Sequence, residues 1–169
     1  MFKHGQIVLV DTNVIIEAHR TRCLALLSNY FELHTVDKVV EETQTGYQNR
    51  RPEQNIDLQE LRAQLRHVET VTDAQRAQFS LDHPNVTLDP GERDLLIYAK
   101  GFKSSDVWLL NSPDMAAVRY AHQQKWIDRL VSLESMNAHL KGRLSESLRE
   151  NYTERWLSQK RMQLALGGE

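Results

Sequence analysis

Four places in this chain put a carboxylate at or near the start of a helix. Asp11 closes the apolar run Ile7-Val8-Leu9-Val10, and Asp114 follows a second such run across Asn111-Ser112-Pro113. Glu92 comes after Asp89-Pro90-Gly91, and Glu41 and Glu42 lie one turn into the helix that Asp37 opens. In an open α/β sheet the strand-to-helix junctions share one edge, so these acids converge if the strands leading to Asp11 and Asp114 are neighbours. Carboxylates at close range repel unless they are protonated or neutralised by a cation. Donor sets made only of oxygen suit Mg²⁺ or Mn²⁺ better than zinc or copper.

Each acid also has a plainer reading. Negative charge at a helix start is favoured by the macrodipole and by the unpaired N–H groups there. Asp89 with Glu92 matches a capping box, and Ser112-Pro113-Asp114 reads as N-cap, first-turn proline and dipole-favoured acid. Asp11 stands apart, because Thr12 and Asn13 could cap in its place. The set points to a cation more strongly than any member does.

Other chemistries find little support. Cys23 is the only cysteine, which excludes an intramolecular disulfide and argues against Cys-ligated zinc. The seven histidines form no His-x-x-x-His pair. A net charge of −2 argues against a strongly basic nucleic-acid coat. No apolar run has signal or membrane-span length, and the chain is expected to be cytoplasmic.

The elements that must position these acids alternate. Short apolar strands are expected at residues 7–10, 31–36, 68–71, 107–110 and 130–133, without the polar alternation of a half-exposed sheet. Helices are expected at 14–30, broken near 20–22, and then at 37–45, 57–67, 73–81 and 90–100. Others follow from Asp114 through Gln124, around Met136 and Leu140, and over 145–166. Residues 47–56 are polar and read as a loop. The alternation predicts an α/β fold with a mainly parallel sheet.

Val8-Leu9-Val10-Asp11-Thr12-Asn13-Val14-Ile15-Ile16 resembles the opening strand and Asp-Thr-Asn signature of the PIN-domain family of metal-dependent nucleases. Val39-Val40-Glu41-Glu42 is similar to the family's helix with the second acid. Gly91-Glu92-Arg93-Asp94-Leu95-Leu96-Ile97-Tyr98-Ala99 resembles its Gly-Glu helix. Leu109-Leu110-Asn111-Ser112-Pro113-Asp114, with Arg119 and Ala121, resembles its fourth-strand motif. The four occur in the family's order from residue 7 to about 140.

The resemblance implies a three-layer α/β/α fold over residues 1–142, with a helical insertion or loop region at 47–85. It implies catalytic acids Asp11, Glu42, Glu92 and Asp114, with Asp11, Glu92 and Asp114 on Mg²⁺ or Mn²⁺. Asn13 and Ser112 would support the site by hydrogen bonds. Glu41 competes with Glu42, since adjacent helical residues point about 100° apart, and Asp94 would be a second contributor. The implied reaction is phosphodiester hydrolysis, with RNA rather than DNA as substrate because many short single-domain relatives cut RNA. Arg20, Arg22, Arg50, Arg51, Arg93 and Arg119 are candidates to grip phosphates. Toxin-like members of the family are often held by antitoxin proteins, which adds a protein partner to the expectations. Pro113 stands where many relatives carry a further acid, which leaves one fewer ligand for a second ion.

Two other readings compete. One is a catalytically inert PIN-like binding or scaffold module. The other is a phosphotransfer domain of haloacid-dehalogenase or receiver type, but Asn13 replaces the second aspartate that the former requires. Residues 143–169 lie beyond the family's minimum and read as a C-terminal amphipathic helix. Its stripe Leu144, Leu148, Tyr152 and Trp156 would pack on the domain itself or on a partner, as in a homodimer.

Overall fold

Strand β1 (Ile7–Val10) can be apolar throughout because it lies inside the sheet, with Val8, Leu9 and Val10 at most 2% exposed. In a computed structural model, which describes residues 2–46 and 49–167, β1 pairs in parallel with β2 (Glu32–Val36) on one side and β4 (Trp108–Asn111) on the other. β3 (His67–Glu69) joins the far side of β2, giving the all-parallel order β3-β2-β1-β4. Tyr47 and Gln48, inside the expected 47–56 loop, lie outside the described residues.

The chain steps from β1 to β2 to β3 in one direction, then returns across the sheet to β4. Parallel neighbours need crossover connections, and the helices are divided between these two journeys. α1 (Thr12–Arg20), α2 (Leu24–Tyr30), α3 (Asp37–Thr43) and α4 (Leu58–Gln64) belong to the outward journey. α5 (Asp73–Asp82) and α6 (Pro90–Lys100) belong to the return, with α6 packed against β1 and β2. The protein is therefore a mixed α/β fold with helices flanking a parallel sheet. Its topological switch point falls between β1 and β4.

Several expected boundaries shift for local reasons. The first helix breaks at residues 21–23, where Arg22 takes φ +60° and the Thr21 hydroxyl bonds back to the Glu17 carbonyl. The expected strand at 130–133 is a single parallel bridge from Leu130 to Leu110. It ends because Ser132 at once caps α8 (Leu133–His139). α7 (Met115–Gln123) follows β4, capped by Asp114.

The expected helix over 145–166 is corrected. Only α9 (Glu154–Ala165) is α-helical, with Thr153 as its N-cap. Before it, a 3-10 turn (Glu150–Tyr152) ends a non-helical stretch. The stripe at spacings of four therefore does not exist as a helix face. Tyr152, Leu157 and Leu164 are buried against the domain, while Met162 and Leu166 are exposed.

Candidate acidic site

Val10 pairs with Asn111, and the Asp11 N–H donates to the Asn111 carbonyl at 3.4 Å, so Asp11 and Ser112 leave the sheet side by side. Asp11 is 4% exposed. Its Oδ1 accepts from the Val14 N–H at 2.8 Å, and its Oδ2 accepts from the Ser112 hydroxyl at 3.1 Å. Asp11 is thus itself the cap of α1, and Thr12 and Asn13 do not replace it. Burial raises its pKa to about 6, against the lowering effect of those two donors; the charge of Asp114 raises it further.

Glu92 lies in the first turn of α6 and is 9% exposed. The expected capping box is absent, since Asp89 makes no side-chain cap bond. Among the described residues, Glu92 Oε1 is buried with no hydrogen-bond partner. Burial, then the charges of Asp114, Asp11 and Asp89, push its pKa to about 8. A capping glutamate would be stabilised as an anion; burial among other acids favours the neutral form of this one. Asp114 is exposed, and its Oδ1 accepts from the Ala116 N–H at 2.6 Å as the cap of α7.

Glu42, not Glu41, turns toward these residues. Its Oε2 accepts from the Thr12 hydroxyl at 2.7 Å and its Oε1 from the Gly91 N–H at 3.0 Å. Glu41 is exposed and paired with Lys38 at 2.9 Å. The roles of Thr12 and Gly91 in holding Glu42 were not legible in advance. A Cβ on Gly91 would stand 2.3 Å from Glu42 Oε2, so glycine there makes room for the carboxylate.

The remaining candidates divide. Asn13 is exposed at the first turn of α1, and its backbone N–H, not its side chain, is turned to Asp11. Asp94 is corrected: it is 1% exposed and bonded to Arg76 at 2.7 Å and Arg93 at 2.9 Å, on another side of α6. Its position two residues from Glu92 turns it away from the acidic rim. Arg93 is engaged by that pair. Arg20 is tied to Glu17 and Glu146, and Arg50 donates to the Thr43 and Glu42 carbonyls at 2.7 and 2.6 Å, closing the end of α3. These three arginines hold the fold. Arg22, Arg51 and Arg119 are exposed.

Among the described residues, no three His, Cys, Asp or Glu side chains stand close enough to enclose one ion. The charge of Asp114 still raises the proton affinity of Asp11, and the charges of Asp114 and Asp11 raise that of Glu92. The two facts agree, because charges act over longer distances than coordination bonds. No protein-family model matches the chain, and no curated protein matches it.

Proposed function

We propose that the rim formed by Asp11, Glu92 and Asp114 binds Mg²⁺ or Mn²⁺ and hydrolyses phosphodiesters, with RNA as the substrate. The observation that carries this reading is Glu92: a buried carboxylate with an orphan oxygen, beside two other acids, at the switch point of a parallel sheet. Mg²⁺ commonly keeps several waters and takes only one or two carboxylates directly, so a spread set of acids suits it. A divalent cation bound there supplies a lowered pKa for attacking water and offsets charge on the phosphoryl oxygens.

The chain's own residues orient and balance. Ser112 and the Val14 N–H fix both oxygens of Asp11. Thr12 and Gly91 hold Glu42 between the starts of α1 and α6, where it would steer a water rather than bind the ion. Glu92 gives up its proton when a cation arrives. Arg22, Arg51 and Arg119 are exposed cations that can meet phosphates without reading sequence.

A second reading, an inert binding module of the same fold, draws on the absence of a closed three-ligand group among the described residues. Mn²⁺-dependent cleavage of a labelled RNA pool separates the two. Cleavage by the wild type that is lost in Asp11→Asn supports hydrolysis. A wild type that binds the RNA and leaves it intact with Mn²⁺ present supports the module.

A further inference from the structure

α1 carries a second buried acid that has no place in the rim. Glu17 is 1% exposed, and its carboxylate accepts from Arg20 Nε at 3.0 Å and Nη2 at 2.7 Å, and from the backbone N–H of Arg149 at 2.9 Å. Arg20 continues to Glu146 at 2.6 Å and to the Ser147 carbonyl at 2.8 Å. The Ser145 N–H donates to the Thr21 carbonyl at 3.0 Å. In order, Ser145 meets Thr21, Ser147 meets Arg20, and Arg149 meets Glu17. The C-terminal chain therefore runs along α1 from its end toward its start.

The 3-10 turn Glu150–Tyr152 continues that path, and Tyr152 is 5% exposed. Such a turn advances about 2 Å per residue against about 1.5 Å for an α-helix. Continued along α1 at that rise, three residues beyond Arg149 would come level with its first turn, which Asp11 caps. Burial raises the Tyr152 hydroxyl's pKa above its usual range, and the charges of Asp11 and then Glu17 raise it further. Beyond the turn, α9 packs against α7, the helix that Asp114 caps, and against α8. The Ser132 hydroxyl bonds Glu154 at 2.7 Å, and the Glu154 N–H bonds Glu134 at 2.7 Å.

We propose that residues 145–152 form a strap, clasped by Glu17 and Arg20, that seats Tyr152 as a wall of the acidic rim and holds the helices of Asp11 and Asp114 in register. This rests on the cation-binding reading above. A buried ion pair adds little net stability when compared with well-packed apolar residues. Set between a helix and a passing strap, it fixes a path. Tyr152 is a positioning residue here: its ring excludes water from one side of the rim.

The test is the Mn²⁺ concentration that gives half the maximal rise in melting temperature, measured on the full chain. Tyr152→Ala and Glu17→Gln should each need about tenfold more Mn²⁺, in the range seen when groups behind metal ligands are removed. Tyr152→Phe keeps the ring and should stay within about twofold of wild type by the same reasoning. Leu65→Ala, which hollows the core beside α4, lowers the melting temperature and should leave the half-point unchanged. If Glu17→Gln does not fold, the Tyr152 pair carries the test. Tyr152→Ala responding to Mn²⁺ like wild type overturns the strap and leaves the cation site standing. A wild type with no Mn²⁺ response overturns both.

Discussion

Glu92 and Asp94 sit two residues apart on one helix, and both are buried carboxylates. Asp94 brings its cations from the chain itself, with Arg76 reaching across from α5 and Arg93 beside it. Among the described residues Glu92 has no such cation: one oxygen is unpartnered, the Ala117 N–H lowers its pKa only in part, and the charges that act on it are those of other acids. A carboxylate that serves the fold arrives already neutralised. One that remains uncompensated costs stability, and that cost makes sense where a cation comes from outside.

The sharpest way to break this comparison is to remove one charge from each side. Asp11→Asn should lower Mn²⁺-dependent cleavage by about a thousandfold or more, with metal-free stability equal or higher because a like charge is gone. Cleavage assays and thermal melting on the same preparation check both halves. Arg76→Ala should do the reverse. It leaves Asp94 buried with only Arg93, and should cost about 3 kcal/mol, somewhat less if water reaches the half-open pair. Denaturant unfolding reads that loss, and the Mn²⁺ response should persist.

The pH dependence sharpens the contrast. Glu92's folded-state pKa of about 8 lies above its ordinary 4.5. Between those values the folded chain keeps a proton that the unfolded chain has released. The stability from this group is full below about pH 4.5 and is lost as pH rises through 8, at up to about 1.4 kcal/mol per unit. Asp11 adds the same trend between 3.8 and about 6. Unfolding curves of metal-free protein at pH 6 and 8 should therefore show a fall that Glu92→Gln flattens. A slope unchanged in the variant contradicts the buried, uncompensated state. The smallest effect is expected from Gly91→Ala. Its methyl would displace Glu42 from the Gly91 N–H, and cleavage should drop about tenfold through misplacement of that carboxylate.

Much of this was legible because apolar runs and punctuation agree. Ile7–Val10 could only be a covered strand, and the acids after it and after β4 meet because those strands pair. Helix phase also separates Glu41 from Glu42 and Asp94 from Glu92, and the resemblance favoured Glu42 and Glu92; the packing of α3 on α6 brings Glu42 to the Gly91 N–H. The C-terminal stripe misled because spacings of four in residues 144–156 fit a helix, while the Glu17–Arg20 clasp pulls that stretch out along α1. Nothing local marks a glutamate in α1 as the partner of a backbone N–H 132 residues away. The partners of Arg20 and Arg50 were hidden for a related reason: they are set by tertiary contacts or chain reversal, which composition cannot reveal.

Calorimetric titration of the metal-free protein with Mn²⁺ at pH 7, in two buffers of different ionisation enthalpy, tests the central claim most directly. The account predicts binding with release of close to one proton from Glu92, seen as a buffer-dependent heat, and a loss of most of that release in Glu92→Gln. Binding whose heat is the same in both buffers, or no binding at all at millimolar Mn²⁺, would contradict it.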